Sequence, residues 1–498
     1  MTSRAIMLGT YHSKPCLACF RTMSLRVRAR ARRFAAAVRL AIEGPALLRL
    51  IRLLRSGQTF GREYTDLCLQ LGLAARAASA LQQAPASTRH PSLPIRLAAL
   101  TGQVDHAIEL VLKLASRLPD ETVSRREVDA VVNCVAPLSA SAAMTLVRAS
   151  GRPNPAEPAL LLQLGNMDAG TRRLDDLGLL LGSQRWLLWA NRQDAPLLQL
   201  EGLNRFLACH GLASVHLRDA SKPLSVGNIG ASALLKPRRR TGEQLSVVMT
   251  CYDCAPYVDA AIRSVLDQTH GNLELIAVDD ASRDNTWKRL EAAAAADDRI
   301  RAIRLQHNVG TYAAKNVGLA LAQGEFLAFQ DADDWSCPER FGICMDLLRR
   351  RPWLEAVSCE YVRLQDDGRF WSSLVWPLQR RTPNSVLFRR RVLARLGFFD
   401  EHRFGSDGEF VARLQAAFGS RALHRLGQPL IVAARRDNSL MTAPSTGLDT
   451  LGRSQARADF QEAWTEQLLC RALAGESFHR SAQRGTPALI AEVCASLQ

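Results

Sequence analysis

The chain lacks any long uninterrupted apolar run. None of its apolar stretches reaches the roughly 18 residues that a membrane-spanning helix needs, so no spanning helix is predicted. The 12 cysteines are scattered and lack the regular short spacing of a disulfide-rich domain. The sequence also has no hydrophobic segment typical of a secretory signal peptide, so we expect a protein of the reducing cytoplasm. Cys16-x-x-Cys19 and Cys251-x-x-Cys254 stand far apart without further ligands at zinc spacing, so neither pair predicts a zinc site.

Acidic residues are nearly absent from the N-terminus. Residues 1–60 carry twelve Lys or Arg against one acid, Glu43, and so hold +11 of the chain's net +16. Within residues 24–42 apolar side chains fall on one helical face and arginines on the other, and residues 47–55 extend this pattern. Such basic amphipathic helices are typical of proteins that bind an anionic membrane surface, here as a peripheral protein on the inner face of the cell membrane.

Other interpretations of this N-terminal segment remain. The apolar face could instead dock onto the protein's own helical domain, or the segment could be an organelle transit peptide. Nucleic acid is not predicted as a partner because no aromatic platform or recognition motif accompanies the arginines. Met23 directly precedes the amphipathic stretch, so translation from Met23, without residues 1–22, is a further alternative.

Composition divides the rest of the chain into four predicted parts. Residues 61–220 are rich in Ala and Leu with few strand signals, which predicts an all-α domain without a clean tetratricopeptide period of about 34 residues. Residues 221–244 are rich in Gly, Ser and basic residues and are the predicted linker. We expect an α/β domain over residues 245–445 and a helical tail over residues 446–498.

Strand and helix patterns alternate in the predicted α/β domain. Apolar runs at residues 245–250, 273–278 and 300–305 are each followed by a helical pattern, and a further run begins near residue 325. This alternation predicts a mainly parallel central sheet with right-handed crossovers. Ligands of such sheets bind beyond the carboxyl ends of the strands, so the loops after these runs should form the site.

Three carboxylates end the run at residues 325–330. Asp331 and Asp333, two positions apart in an Asp-x-Asp pattern, could jointly hold a divalent cation such as Mn²⁺ or Mg²⁺, which prefers oxygen ligands and keeps substrate phosphates as partners. The alternative is a solvated acidic turn. Context decides between these interpretations, because short motifs recur by chance.

The context resembles a known family. Four blocks occur in order between residues 245 and 443, namely Thr250-Cys251-Tyr252, Val278-Asp279-Asp280-Ala281-Ser282, Ala314-Lys315-Asn316-Val317-Gly318-Leu319 and Asp331-Ala332-Asp333-Asp334. Together they resemble glycosyltransferase family 2. The resemblance implies an inverting enzyme of the nucleotide-sugar-binding GT-A fold, preceded here by the all-α N-terminal region.

Carried over residue by residue, the resemblance implies a donor site. Thr250, Tyr252 and Asp280 would line the pocket for the nucleotide base and ribose, although Tyr252 could instead pack in the core. Lys315 stands where many relatives have Arg, so it would contact the donor phosphates as a point charge. Asp331 and Asp333 would hold the Mn²⁺ or Mg²⁺ that neutralises the leaving diphosphate.

A catalytic base is expected near Phe404-Gly405-Ser406-Asp407-Gly408-Glu409-Phe410, just before a helical pattern. The resemblance places the base at Asp407, with Glu409 as a residue that orients it or substitutes for it, while a purely helix-capping role is the alternative for both. Arg435 and Arg436 resemble the family segment that returns to the donor phosphates, or form a surface pair.

These observations predict a metal-dependent, hexosyltransferase-like enzyme. It would transfer a sugar from a nucleotide-diphospho-sugar to a glycan or lipid-linked acceptor, in cell-surface polysaccharide synthesis. Trp335, Trp371 and Trp376 would face the sugar or pack in the core. The alternative function is a helical scaffold or interaction protein with a degenerate glycosyltransferase domain, against which the intact Asp280, Asp331, Asp333 and Asp407 argue.

Overall fold

The computed structural model describes residues 46–59, 61–85, 90–118, 123–231, 242–436, 439, 442, 454–482 and 485–496. The amphipathic pattern of residues 24–42 and the basic residues 236–240 of the predicted linker lie outside this part of the chain. None of the helices in the described ranges is long and apolar enough to cross a bilayer.

The first part of the described chain is mostly helical. Its Ala-rich and Leu-rich segments bury small apolar faces against one another, and capping fixes several helix starts, as in the capping box that Ser124 forms with Glu127. The helices are α1 (Ala46–Arg55), α2 (Arg62–Gln70), α3 (Ala74–Gln83), α4 (Ser92–Leu100), α5 (Val104–Arg117), α6 (Arg125–Val135), α7 (Ala140–Ala149), α8 (Glu157–Gln163), α9 (Met167–Asp176), α10 (Gly178–Leu181), α11 (Arg185–Ala190) and α12 (Pro196–Cys209).

Helix α1 is formed by residues near the end of the basic N-terminal segment. Its apolar residues Leu47, Leu50 and Ile51 are buried, and Arg55 donates a hydrogen bond of 2.7 Å to the carbonyl of Ala472. The apolar face of residues 46–55 therefore packs against the protein itself, as the docking alternative expects for this part of the segment.

A short antiparallel strand pair follows the helices. Strands β1 (Val215–Leu217) and β2 (Ile229–Ala231) pair in a region for which the sequence predicts the end of a helical domain and the start of a linker. Leu224 and Val226 between them are buried, so this stretch is packed rather than extended into solvent. The apolar residues of the strands are too few to produce a strand signal in the sequence.

The second part of the chain is built on a ten-stranded sheet. Its main path runs β5-β4-β3-β6-β11-β8-β12-β7, and β9 and β10 pair with β8. Strands β5, β4, β3 and β6 are mutually parallel, as are β8 and β12, whereas β11 joins the two groups by antiparallel pairing. The strands are β3 (Leu245–Cys251), β4 (Leu273–Asp279), β5 (Ile300–Arg304), β6 (Phe326–Asp331), β7 (Trp335–Ser336), β8 (Ala356–Gln365), β9 (Phe370–Trp371), β10 (Arg380–Arg381), β11 (Leu387–Arg389) and β12 (Leu423–Arg435).

Helices cover both faces of this sheet, so its central strands are continuous apolar runs. Alternate residues of β3 point to opposite sides: Val247 packs into the core shared with the N-terminal helices, and Val248 into the core on the other face. The covering helices are α13 (Ala255–Leu266), α14 (Thr286–Ala296), α15 (Thr311–Leu321), α16 (Arg340–Arg350), α17 (Arg390–Leu396) and α18 (Ser406–Phe418). Helix α19 (Gln455–Ala474) packs on α18, and α20 (Gly485–Ser496) joins the core on the face of Val248. The predicted α/β fold with a parallel central sheet after a mostly helical region is confirmed.

Helix α15 lies unusually close to the sheet. A Cβ atom on Gly318 would stand 2.4 Å from Cγ1 of Val248 in β3, so only glycine permits this approach. Lys315 lies one helical turn earlier and is buried with only 3% exposure. The close packing of α15 on β3 thus brings the lysine ammonium to the carboxyl edge of the sheet.

Helix α19 joins the two parts of the protein. On one side Arg76 of α3 donates to Glu466, with 2.7 Å between Nη2 and Oε2, and Gln461 donates to the carbonyl of Leu71 at 3.1 Å. On the other side Phe460 stacks on His402, with ring centroids 3.9 Å apart and ring planes at 11°. The helix therefore contacts both the N-terminal helices and the loop that precedes α18.

Candidate active site

A cavity of about 930 Å³ opens beyond the carboxyl ends of β3, β4 and β6, and we call it the carboxyl-edge cavity. The parallel register of β3 and β6 sets Thr250 directly beside Asp331, so loops distant in sequence meet there. The predicted site residues that line this cavity are Thr250, Tyr252, Asp280, Lys315, Asp331, Asp333, Asp407 and Arg436, whereas Glu409 does not line it.

Two of the predicted base-binding residues shape the end of the cavity near β3 and β4. The Tyr252 hydroxyl accepts a hydrogen bond of 2.5 Å from Arg283, and its half-buried ring lines the cavity, so it is not a core residue. Asp280 accepts backbone N–H groups of Val309 at 2.7 Å and Gly310 at 2.9 Å, one on each carboxylate oxygen. Burial raises the pKa of Asp280 above its ordinary value, against the effect of these two hydrogen bonds.

Asp331 and Asp333 each face a cation of the protein. The ammonium of Lys315 lies 3.3 Å from Oδ1 of Asp331 and donates to Oδ1 of Asn384 at 2.7 Å. Nε of Arg436 donates to Oδ2 of Asp333 at 2.8 Å. Each carboxylate is thus held in the cavity by an ion pair.

Asp334, the third acid of the cluster, also lines the cavity. Its Oδ1 accepts the backbone N–H of Ala434 at 3.1 Å, which fastens the acidic loop to β12. Burial, together with the negative charges of Asp333 and Asp331, raises the pKa of Asp334 well above its ordinary value. One oxygen of Asp334 therefore holds the acidic loop that carries Asp331 and Asp333.

The residues fit a divalent cation held with a substrate. No group of three or more His, Cys, Asp or Glu side chains converges anywhere in the described part of the chain. Asp331 and Asp333 alone would supply the protein ligands, and Mg²⁺ is commonly held by one or two carboxylates with substrate phosphates and waters. The two ion pairs show that this cavity already accommodates positive charge beside both carboxylates.

Asp407 lies in the first turn of α18, where the helix dipole favours a negative charge. The preceding Gly405 has a left-handed backbone with φ of 79°, which turns the chain into the helix at this point. Oδ1 of Asp407 accepts the hydroxyl of Tyr312 at 2.9 Å and the backbone N–H of Gly408 at 2.9 Å. Burial and the charge of Asp407 raise the pKa of Tyr312 well above its ordinary value, so the phenol stays a donor.

Glu409 does not share this position, contrary to its prediction as a catalytic partner of Asp407. Two residues along an α-helix is a rotation of about 200°, so its side chain points to the opposite side of α18. There it is fully buried and pairs with Arg413, with 2.9 Å between Oε1 and Nε. Its geometry is that of a structural ion pair outside the cavity lining.

The structure also places the remaining predicted side chains. Arg436 reaches the cavity, whereas Arg435 donates to Gln365 and lies over the Trp371 ring at 4.2 Å. Trp335 and Trp376 are buried in the core, and none of the three predicted tryptophans lines the cavity. Asp437, Asn438 and Leu440 of the same segment lie outside the described residues.

Several cavity residues had no signal in the sequence. Tyr312 holds Asp407 from the start of α15, and Tyr257 donates to Asp366 at 2.5 Å on the cavity rim. Arg363 and Asn384 enter the cavity from β8 and the turn before β11. Sequence patterns predict site residues only within or next to a motif. Tyr312, Tyr257, Arg363 and Asn384 are brought to the cavity by tertiary packing, which the sequence patterns do not reveal.

The sequence matches known proteins over this part of the chain. Residues 246–406 match the family model described as glycosyl transferase family 2. An uncharacterized glycosyltransferase of Haemophilus influenzae is 37% identical over 114 residues, which are 23% of this chain and 35% of that protein. TuaG of Bacillus subtilis, described as a teichuronic acid biosynthesis glycosyltransferase, is 40% identical over 90 residues, 18% of this chain and 36% of its own length.

A third relative is the Escherichia coli UDP-Glc:alpha-D-GlcNAc-diphosphoundecaprenol beta-1,3-glucosyltransferase WfaP, 36% identical over 93 residues, 19% of this chain and 36% of WfaP. The chain thus spans about a third of the length of these relatives. Among solved structures, Staphylococcus aureus TarS 1–349 in complex with UDP-GlcNAc matches with a TM-score of 0.35 and 18% identity, over 46% of this chain and 71% of TarS 1–349.

Residues 246–406 are therefore a glycosyltransferase domain. The family to which this domain belongs is glycosyltransferase family 2, as the four sequence blocks predict. The family match covers nearly all of β3, continues through β6 and reaches the first residue of α18. It contains Thr250, Tyr252, Asp280, Lys315, Asp331 and Asp333, but not Arg435 or Arg436. It ends one residue before Asp407.

Proposed function

We propose that the protein is a metal-dependent inverting glycosyltransferase that moves a hexose from a nucleotide-diphospho-sugar to a glycan or lipid-linked acceptor. The observation that supports this most is the meeting of two ion-paired carboxylates, Asp331 and Asp333, with Asp407 in one cavity. The cavity has the size of an ordinary small-molecule site.

The donor would lie along the β3, β4 and β6 loops. The Tyr252 ring offers an exposed face on which a base can stack, and Asp280 keeps the neighbouring loop in place while each of its oxygens retains a further lone pair. Lys315 and Arg436 stand beside the acidic pair, where the diphosphate would lie. A cation held by Asp331 and Asp333 would neutralise the charge that develops on the leaving diphosphate.

Transfer needs a base for the acceptor hydroxyl. In the proposed step, Asp407 takes the hydroxyl proton while the acceptor oxygen bonds to the anomeric carbon, and the bond from that carbon to the diphosphate oxygen breaks on the opposite face. Tyr312 and Gly408 hold Oδ1 of Asp407, so the carboxylate has a fixed orientation in this step. Displacement from the opposite face inverts the anomeric configuration.

The biological setting is part of the proposal. TuaG and WfaP are named for teichuronic acid synthesis and for transfer to a diphosphoundecaprenol-linked sugar, which supports a role in cell-surface polysaccharide synthesis. A lipid-linked acceptor fits peripheral attachment to the cytoplasmic face through residues 24–45. We also propose the domain limits given above, namely 1–60, 61–220, 221–244, 245–445 and 446–498. The segment 221–244 is then a connection whose first part is packed through β2 and is not an extended linker.

A panel of nucleotide sugars tests this function. The full chain should release nucleoside diphosphate from one donor, excess chelator should abolish the release, and Mn²⁺ or Mg²⁺ should restore it. Full turnover in excess chelator would remove the metal from the mechanism. No turnover and no binding of any donor would favour the scaffold with a degenerate domain.

A further inference from the structure

Arg363 of β8 is a cation in the carboxyl-edge cavity that lacks a polar side-chain partner among the described residues. Its Nε is buried without a hydrogen-bond acceptor. The positive charge of Arg363 opposes the rise in the pKa of Asp334, which also lines the cavity, but the hydrogen bond of Asp334 goes to the backbone N–H of Ala434. Its nearest defined contact is the Tyr361 ring, whose centroid is 5.3 Å from Cζ. A buried guanidinium N–H without an acceptor is costly, which indicates that a ligand completes the site.

Two further arginines surround this position. Arg380 of β10 donates to Oγ of Ser373 at 2.5 Å, and Arg457 extends from α19, which lies beyond the family match. Burial lowers the pKa of both arginines, and the positive charge of Arg363 contributes to the lowering in each case. The charge of Arg363 therefore acts on each of the other two arginines, and the charge of Asp407 opposes this effect only at Arg457. An anion bound at Arg363 would reduce the repulsion in both pairs.

Arg363 lies outside the loops of β3, β4 and β6, because β8 lies beyond β11 on the other side of β6. In the neighbouring strand β12, Ala433 lies opposite Arg363, three residues before Arg436. Lys315 and Arg436 already stand beside the acidic pair and serve the donor phosphates in the proposed function. Arg363 is the further cation of the cavity, left to bind an anion of the second substrate, the acceptor.

We propose that Arg363 binds an oxyanion, a phosphate or a carboxylate, of the acceptor, so that the acceptor is negatively charged near the attacking hydroxyl. The planar guanidinium presents paired N–H donors that match the two oxygens of either group. The anion belongs either to the phosphate of a lipid carrier or to an acidic sugar of a growing glycan. This inference rests on the proposed transfer function and adds the chemical class of the acceptor.

The first test measures anion binding and needs no turnover. Inorganic phosphate and glucuronate are titrated into the full chain in the presence of UDP at constant ionic strength. Arg363→Gln should weaken binding of at least one of them by about tenfold or more, and Arg363→Lys should restore part of it. The matched control is Arg381→Gln, which removes the same charge from an exposed neighbour on β10 that pairs loosely with Glu360 at 3.6 Å. Equal affinities of wild type and Arg363→Gln would overturn the proposal.

The second test separates acceptor from donor. Transfer is measured to a polyprenyl-diphosphate-linked sugar, a soluble phosphorylated oligosaccharide, a glucuronate-terminated oligosaccharide and a neutral oligosaccharide. Arg363→Gln should raise KM about ten- to a hundredfold for the preferred anionic acceptor alone, leaving donor KM and donor hydrolysis unchanged. The responding acceptor identifies the source of the anion. A raised donor KM would instead assign Arg363 to the donor phosphates, and absence of donor turnover would contradict the proposed function itself.

Discussion

Replacing Asp407 by Asn tests the proposed base with little disturbance of the fold. The amide keeps an oxygen in the position of Oδ1, which can still accept from the Tyr312 hydroxyl and the Gly408 N–H, each 2.9 Å away in the wild type. The side chain can no longer take a proton. General-base catalysis contributes about 10²- to 10⁴-fold, so kcat should fall by that factor, which corresponds to about 2.7–5.5 kcal/mol in activation free energy.

The assay compares nucleoside diphosphate release and donor affinity in the same preparations. Donor Kd should be nearly unchanged, because Asp407 is not among the residues proposed to bind the nucleotide or the metal. Asp459→Asn on the exposed surface of α19 is the matched control and should have wild-type kcat. An Asp407→Asn enzyme with a normal rate would show that another group accepts the proton.

Four further changes probe the metal pair, the buried ion pair, the N-terminus and the loop support. Asp333→Asn should abolish transfer and weaken Mn²⁺ binding in the presence of nucleotide, because it removes one of two anionic ligands; manganese electron paramagnetic resonance measures the affinity. Glu409→Gln leaves Arg413 buried without its countercharge and should lower the free energy of unfolding by about 3–5 kcal/mol, measured by denaturant titration. Deleting residues 1–45 should release the protein from anionic vesicles, since each basic residue near the surface contributes about 1 kcal/mol, without lowering Tm. Phe460→Ala should lower kcat about tenfold or more with donor Kd unchanged, because the loop before Asp407 loses its stacking partner.

Each of these changes has a control or a contradicting result. Asp259→Asn, which removes a half-buried carboxylate outside the cavity that pairs with Arg289, should leave Mn²⁺ affinity unchanged. Leu473→Ala on the exposed side of α19 should leave kcat unchanged. Wild-type stability of Glu409→Gln would contradict the structural ion pair. Vesicle binding that survives the deletion, or that is insensitive to salt, would contradict the membrane proposal.

The fold of the catalytic half follows from local patterns. Strands β3, β4 and β6 are almost wholly buried, so each is a short apolar run. β5 is a partly exposed edge strand, but it also precedes a helical pattern, and the parallel sheet is predictable from this alternation. Strand β11 is only Leu387–Arg389 and β9 and β10 are two residues each, so their pairing depends on tertiary contacts. The β1 and β2 pair is missed for the same reason.

The site residues likewise divide into those that sequence patterns predict and those that only tertiary contacts bring to the cavity. Thr250, Asp280 and Asp331 lie at the carboxyl ends of parallel strands, at one edge of the sheet. Their convergence is therefore expected from the alternation of strand and helix patterns alone. Glu409 was predicted beside Asp407 because the two are close in sequence, but helical rotation separates them. Arg363 has no motif around it and enters the cavity only because β8 lies beside β12.

The most direct test of the account is a crystal structure of the full chain with Mn²⁺ and the nucleoside diphosphate of the donor that the panel identifies. Anomalous scattering locates the manganese independently of the protein phases. The account predicts a peak about 2.1 Å from carboxylate oxygens of Asp331 and Asp333, with the diphosphate on its other side and the base against Tyr252. A manganese peak elsewhere, or a nucleotide bound outside the carboxyl-edge cavity, would contradict it.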